Sequence, residues 1–152
     1  MINLTKESEQ VYYVTDAVMA LCNTDLEILL SKLRESNLDR IRVCAHQKTA
    51  DPLHEMIIIL KRDAYVKPHK HLCKSESFHI IRGEADVVLF EENGEVRNTI
   101  ELGELGSGKN FYYRLSIPLF HTVKVRSDYL IFHETTQGPF DRNKTVYPTW
   151  CL

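Results

Sequence analysis

The chain has 152 residues, which is the length of a single domain with a sizeable buried core. Its 43% hydrophobic and 26% charged residues are typical of a globular protein. The net charge of −2 argues against a nucleic-acid-binding protein, which would carry a basic stripe. The sequence has no apolar run of about 18 residues and no secretory signal at its N-terminus, so we expect a cytoplasmic protein with no membrane partner.

The first fifty residues predict a strand, a helix and a second strand. Apolar alternation marks the strands at residues 10–14 and 40–46. Thr24 and Glu27 have the spacing of a capping box, so we expect a helix over residues 25–36. Four leucines recur along it at helical spacing: Leu26, Leu29, Leu30 and Leu33. This apolar stripe predicts that the helix packs on a sheet.

The rest of the chain is rich in short predicted strands. Turn residues separate them, and Asn93-Gly94 is a strong hairpin signal. The strands are expected at residues 54–61, 64–67, 76–82, 85–90, 96–101, 111–115, 121–126 and 129–134. Short strands with no helices between them predict an antiparallel sandwich or barrel. We therefore expect one structural domain, in which an N-terminal strand–helix extension, residues 1–50, packs on a barrel of residues 51–152.

Two histidines and a glutamate lie close together in the sequence, at His69, His71 and Glu76. Residues two apart on a strand point to the same side, so the two imidazoles share a face. A turn that returns the carboxylate to them would place three ligands around a divalent metal ion. We therefore expect a metal site at this segment.

His121 is the best candidate for a fourth ligand. On the strand predicted at residues 121–126, it shares the apolar side with two valines. An isolated buried histidine would be a core side chain bonded to the backbone or to water, but the three other donors favour a metal ligand here. His79 lies on the opposite side of its strand from Glu76, so we do not count it as a ligand.

Three imidazoles and one carboxylate suit a borderline divalent cation. We expect one such ion per chain, and zinc, iron, manganese, nickel and cobalt all fit. An ion that prefers five or six ligands would keep positions open for water or a substrate. The ligand types do not choose among these metals.

The spacing of the four residues resembles the motifs of the cupin superfamily. The first cupin motif is His-x-His, four residues, Glu, six residues, Gly, and here it reads His69, His71, Glu76 and Gly83. The second motif, Pro-x-Gly-x-x-His, is partly present, because Ser116 replaces the proline and Pro118 the glycine before His121. Proline cannot adopt the positive φ that glycine permits, so we expect a locally different turn into that strand.

More narrowly, residues 40–142 resemble the WbuC family of cupin-fold metalloproteins. The segments that carry the resemblance are RVCAH (42–46), PHKH (68–71), KSESFH (74–79), DVVLF (86–90), FYYRL (111–115), HTV (121–123) and the stretch from FHE (132–134) to GPFD (138–141). The resemblance implies a mainly β, cupin-type antiparallel β-barrel (a jelly roll) with a bound metal. It also implies a link to surface polysaccharide synthesis, such as that of O-antigen, and a homodimer.

Five further side chains are candidates for contact with a bound molecule. Lys74 is placed to attract an anionic substrate, although a solvated turn lysine fits equally. Tyr113 is a candidate catalytic acid in the cavity, or a core tyrosine with a satisfied hydroxyl. Arg42, His133 and Glu134 are candidates to line the substrate pocket, or else structural residues.

Three functions stay open from the sequence. The first is a metal-dependent isomerase, epimerase or lyase that acts on a carbohydrate or nucleotide-sugar-type molecule. The second is an Fe(II)-dependent oxygenase. The third is a non-catalytic module that binds or senses a small polar molecule such as a sugar derivative. Many activities occur on one fold, so the fold alone does not decide among them.

Overall fold

The structure is a computed structural model, and it describes residues 2–151. Within that range it contains twelve β-strands, one α-helix and a short 3-10 turn. In chain order these are β1 (Leu4–Lys6), β2 (Val11–Val14), α1 (Asn23–Arg34), β3 (Arg40–Cys44), β4 (Leu53–Lys61), β5 (Lys70–His71), β6 (Glu76–Arg82), β7 (Glu84–Phe90), β8 (Val96–Gly103), β9 (Tyr112–Leu115), β10 (Phe120–Val125), β11 (Tyr129–Gln137), the 3-10 turn (Arg142–Lys144) and β12 (Thr145–Val146). In this part of the chain, no helix combines the length and apolarity needed to cross a bilayer.

Ten of the strands form two sheets that face each other. The larger sheet has seven strands in the order β1-β2-β3-β4-β11-β6-β9, and the smaller has three in the order β10-β7-β8. β5 and β12 form a separate two-stranded ladder. Neighbouring strands are antiparallel, except that β2 and β3 are parallel because α1 connects them as a crossover. The result is the mainly β jelly roll that the sequence predicts, with β1 to β3 extending the larger sheet.

Apolar side chains form a core on each side of the larger sheet. The core between the two sheets includes Ile58, Phe78 and Phe132 from the larger sheet and Val87 and Val123 from the smaller. The core on the outer side lies between α1 and the sheet, and it includes Leu26, Leu29, Leu30, Leu33, Ile41, Val43 and Ile59. The predicted packing of the leucine stripe is therefore confirmed. Full burial of each leucine stabilises the fold by about 1.5–3 kcal/mol.

The helix begins and ends two residues earlier than predicted, because its first turn is capped differently. The carboxylate of Asp25 accepts hydrogen bonds from the backbone N–H and the thiol of Cys22, at 3.1 and 3.2 Å. Cys22 is therefore the cap residue, and Asp25 is the acidic residue three positions later. The predicted pairing of Thr24 with Glu27 was wrong.

One predicted strand is missing and three short strands were not predicted. Residues 64–67 belong to no strand, although the carbonyl oxygen of Val66 accepts a hydrogen bond from the Thr122 hydroxyl. Pro68 ends this segment and cannot donate to a ladder. β1, β5 and β12 have only two or three residues each, which is too short for an alternating pattern.

Candidate metal centre

Four side chains converge between the two sheets. His69, His71, Glu76 and His121 each offer one ligand atom, and these atoms all lie within 4.8 Å of one another. Ligand atoms at about 2.1 Å from a shared ion lie roughly 3–4 Å apart, so only a small closure is needed to coordinate one. The structure thus brings together the four residues that the sequence predicts as ligands.

Backbone pairing places the histidines. His69 and His121 form an antiparallel bridge, with N–H···O distances of 3.0 and 2.9 Å. Their side chains therefore project from adjacent strand segments, and their ring centroids are 4.5 Å apart. His71 follows His69 at the same face, as its position two residues later predicts.

The loop between His71 and Glu76 is held in an uncommon conformation. Cys73 has a φ of 62°, in the left-handed region that costs a non-glycine residue about 1–2 kcal/mol. The backbone N–H of Ser75 donates to Gln137 Oε1 at 2.7 Å, and the Thr136 hydroxyl donates to the Ser75 carbonyl oxygen at 2.9 Å. These bonds to β11 hold the loop so that Glu76 returns to the histidines.

Gly83 is needed where the motif places it, at the turn from β6 into β7. Its φ is +89°, and a Cβ at this position would collide with the carbonyl oxygen of Tyr129. Glycine alone meets both requirements without strain.

The turn before His121 differs from the family pattern, as expected from Pro118. Within the described range it has no residue with positive φ, and the N–H of Leu119 donates instead to the carbonyl oxygen of Ile117 at 2.9 Å. His121 nevertheless points at the other three ligands. The substitution of proline for glycine has therefore not misdirected this histidine.

Each histidine is oriented through its Nδ1 atom, which leaves Nε2 for the centre. The partners are the Lys67 carbonyl for His69 (2.8 Å), the Thr145 hydroxyl for His71 (3.2 Å) and the Leu119 carbonyl for His121 (2.9 Å). A ring nitrogen that faces a carbonyl oxygen must carry a proton, so in the neutral rings of His69 and His121 the Nε2 atoms keep their lone pairs. This is the arrangement that metal-binding histidines require.

Two buried atoms of the centre lack a hydrogen-bond partner. Glu76 Oε1 lies 2.9 Å from His121 Nε2, but the pair lacks hydrogen-bond geometry, and neither atom has another partner among residues 2–151. Glu76 Oε2 lies 3.3 Å from His71 Nε2. Buried polar atoms without a partner cost about 1–3 kcal/mol each. A cation shared by these atoms would remove that cost, so the donor set fits a divalent metal.

Charge and burial also favour the ligand forms of His69 and Glu76, but not that of His121. Burial, together with the neighbouring His121, lowers the pKa of His69 to about 4 and keeps it neutral. Burial opposes ionisation of Glu76, but its contacts with His121 and His71 lower its pKa on balance. Burial also lowers the pKa of His121, and Glu76 more than compensates, so its pKa is raised. A metal ion would therefore compete with a proton on His121.

A cavity of about 800 Å³ opens beside the four ligands, which are part of its wall. Its charged residues other than Glu76 are Arg40, Arg42, Lys67, Lys74, Arg142 and Glu134. Three partly exposed aromatic side chains also line it: Tyr65, Phe140 and Tyr147. The centre is therefore reachable by a small molecule.

The structure brings three of the five predicted pocket residues to this cavity, namely Arg42, Lys74 and Glu134. Burial and the negative charge of Glu76 raise the pKa of Glu134 to about 7, while Arg42 and Lys74 oppose the shift. Glu134 therefore holds or releases a proton near neutral pH.

Tyr113 is not part of the cavity wall, but its ring packs against Phe78, which is, with the ring centroids 5.4 Å apart. It is buried, and its hydroxyl has no hydrogen-bond partner among the described residues. Burial and the charge of Glu76 raise its pKa well above the ordinary value, so the hydroxyl stays protonated. The catalytic role of Tyr113 stays a prediction.

His133 is not brought to this cavity. It lies on the outer face of the larger sheet in a separate groove, where its Nε2 is 3.6 Å from Glu55 Oε1. His79 on β6 pairs with His133 and lines the same groove. The prediction that His79 faces away from Glu76 is confirmed.

Sequence reasoning missed Thr145, the partner of His71. Thr145 lies 74 residues after His71 and belongs to the two-residue strand β12. Nothing in the local sequence marks such a short strand, so no signal was available to identify it.

Three solved structures are similar to this chain at low sequence identity. Protein SO0799 from Shewanella oneidensis is 11% identical, with a TM-score of 0.57 over 70% of this chain and 72% of that chain. Oxalate decarboxylase from Bacillus subtilis, studied for its Mn(II) centres, is 18% identical, with a TM-score of 0.56 over 76% and 31%. Oxalate decarboxylase from Lactobacillus farciminis, solved as a formate complex, is 18% identical, with a TM-score of 0.50 over 64% and 27%.

These likenesses show the cupin fold alone, and the chain spans less than a third of the length of the two decarboxylases. Comparison of the sequence with curated proteins gave no significant match. The model of one family, described as a domain of unknown function (DUF6016), matches residues 21–102, which is more than half of the chain. The match includes three of the four ligands and ends before His121. The chain therefore belongs to the DUF6016 family and has the fold of a cupin.

Proposed function

We propose that this protein is a metal-dependent enzyme that acts on a small polar molecule bound in the cavity. The observation that carries the proposal is the position of the four donors in the wall of an open cavity of about 800 Å³. Structural metal sites are closed, whereas catalytic sites keep a position open for water or substrate. A cavity of this volume is large enough for a small-molecule substrate.

The residues around the four ligands support a proton-transfer reaction. A divalent ion held there would polarise a carbonyl or hydroxyl group or activate a water molecule. Glu134 faces the cavity with a pKa of about 7, so it suits a general acid or base. Arg42 and Lys74 line the same cavity, which supports a role for them in orienting the substrate.

The resemblance to WbuC-type cupins supports a sugar derivative as the substrate and a role in surface polysaccharide synthesis. It also supports a homodimer. All four cysteines are free, which is compatible with the reducing cytoplasm as the place of the reaction.

Turnover assays test the proposal. Protein loaded in turn with zinc, manganese, nickel or iron(II), and metal-free protein, would be incubated with a panel of sugar phosphates, nucleotide sugars and small carboxylic acids, and products detected by NMR. We expect turnover with at least one metal and loss of turnover on chelation. Metal-loaded protein that converts no compound and binds none by calorimetry would contradict the proposal and leave a non-catalytic role.

Glu134→Gln tests the proton-transfer role in the same assay. We expect turnover to fall roughly 100-fold or more, with metal content unchanged, because an amide cannot transfer the proton. Glu55→Gln is the matched control, since Glu55 also lies in the larger sheet but lines the outer groove. If Glu134→Gln and Glu55→Gln turn over substrate at the same rate, Glu134 is not the group that transfers the proton.

A further inference from the structure

The cavity beside the metal centre carries more positive than negative charge. Five cations line it, and among them Arg40 is already paired with Asp39 at 2.9 Å. The other four have no ion-pair partner within residues 2–151: Arg42, Lys67, Lys74 and Arg142. The wall holds two carboxylates, Glu76 and Glu134, and Glu76 faces the metal-centre histidines His71 and His121. The cavity therefore has cations in excess of its carboxylates.

Two of these four cations, Arg42 and Lys74, are carried by a core strand and by the loop between two metal ligands. Arg42 is on β3, paired with Ile58, and Lys74 is in the loop that leads to Glu76. Both side chains are half-buried. Neither head group makes a hydrogen bond to a described residue. A charged group removed from water without a partner costs free energy, and a bound anion would remove that cost.

Glu134 does not neutralise this pair. It lines the same cavity as Arg42 and Lys74, yet it forms an ion pair with neither. It supplies at most one negative charge against two positive ones. The region around these three side chains therefore stays positive whether Glu134 is ionised or protonated.

We infer that the cavity takes an anion, a small molecule whose carboxylate or phosphate group is held by Arg42 and Lys74 beside the metal ligands. This inference names the substrate class for the proposed function and rests on it. A guanidinium group binds both kinds of oxyanion through two parallel N–H donors, and the ammonium group of Lys74 supplies a further donor. The exposed rings of Tyr65, Phe140 and Tyr147 along the wall suit a ring attached to the anion.

Three probes that share one sugar ring test the charge requirement: glucose, glucuronate and glucose 1-phosphate. Their binding to zinc-loaded protein would be measured by calorimetry, with the zinc content of every sample determined by mass spectrometry. We expect glucuronate or glucose 1-phosphate to bind at least tenfold more tightly than glucose. The tighter of the two anions distinguishes a carboxylate from a phosphate ligand. Equal affinity for all three probes, or no binding of either anion, overturns the inference.

Variants of the two cations show whether the anion is bound by Arg42 and Lys74 or by the metal ion. Arg42→Gln and Lys74→Gln should each weaken anion binding at least tenfold without changing zinc content, and Arg42→Lys should recover part of the loss because it keeps the charge. Arg40→Gln is the matched control, because Arg40 lines the same cavity from the same strand but is paired with Asp39. We expect it to change anion affinity less than twofold. Wild-type anion affinity in both glutamine variants would overturn the inference.

Failure of this inference and failure of the proposed function give different results. One zinc ion per chain with no preference for anions overturns the inference and leaves the metal centre intact. Absence of zinc binding overturns the proposed function. In that case the inference is tested on metal-free protein. The same anions are titrated into the wild type and into the Arg42 and Lys74 variants, and their affinities are compared.

Discussion

Thr145, in the C-terminal part of the chain, contacts the metal centre indirectly, because it lies beside the ring of His71. Its hydroxyl lies 3.2 Å from His71 Nδ1, and the same ring faces Glu76 through Nε2. Groups that orient a metal-binding histidine in this way typically change metal affinity 10- to 100-fold. We therefore expect Thr145→Val to lower zinc affinity by about that factor, measured by competition with a chelator.

Thr99→Val is the control for this change. Thr99 is exposed on β8, and the same substitution there removes a hydroxyl without touching the centre. Equal zinc affinity of the two variants would mean that Thr145 does not position His71.

The reactivity of the Cys44 thiol tests whether this side chain is buried. Cys44 is buried, and that burial raises its pKa to about 11, whereas Cys22 and Cys73 are exposed. The thiolate is the reactive form, and at pH 8 a pKa of about 11 leaves roughly one Cys44 side chain in a thousand ionised. In iodoacetamide labelling at pH 8 followed by mass spectrometry, we expect Cys22 and Cys73 to react, and Cys44, which lies in the cavity wall but is only 2% exposed, to react far more slowly until the protein is unfolded. Labelling of Cys44 at the rate of Cys73 would contradict its burial.

At the scale of single residues, the sequence predicts the ligands better than their surroundings. The spacing of His69, His71 and Glu76 and the apolar side shared by His121 are local features, so the four residues could be identified. The groups that orient the imidazoles could not be identified in this way, because they contact residues far away in the sequence, as Thr145 contacts His71. His133 and Glu134 are adjacent on β11, so alternation along the strand already excludes that both face the cavity, and strand pairing decides that Glu134 does.

At the scale of elements, the packing of α1 on the larger sheet is a main source of stability. Leu33 is fully buried in the core between them. Truncation of a buried leucine to alanine costs about 2–5 kcal/mol, because it removes apolar contacts and leaves a cavity. We expect Leu33→Ala to lower the free energy of unfolding by about that amount, measured by urea denaturation.

Leu105→Ala is the matched control, since the side chain of Leu105 is 77% exposed. Surface substitutions of this kind usually change stability by less than about 0.5 kcal/mol. Similar unfolding free energies for the two variants would contradict the packing of α1 described above.

Long periodic elements could be predicted from the sequence, and short ones could not. The leucine stripe identifies α1, but its first residue depends on whether Asp25 or Glu27 caps it, and both have the required chemistry. β4 and β6 have clear apolar patterns. The two-residue strands β5 and β12 exist because they pair with each other, which is a contact between distant segments.

At the scale of the whole molecule, the jelly roll brings ligands from separate strands to one point. β5, β6 and β10 supply His71, Glu76 and His121, and the bridge to β10 places His69. The many short strands predict this class of fold. The parallel pairing of β2 with β3 was not predicted, because it follows from the crossover through α1 and not from any strand pattern.

Metal content shows whether His69, His71, Glu76 and His121 form one divalent metal site. Protein purified without added metal, and again after loading with zinc, would be analysed by mass spectrometry alongside His69→Ala, His121→Ala and the control His79→Ala. We expect one metal ion per chain in the wild type and in His79→Ala, and loss of the ion in the other two variants. A wild-type chain that cannot be loaded, or ligand variants that keep their metal, would show that these four residues do not hold a metal ion.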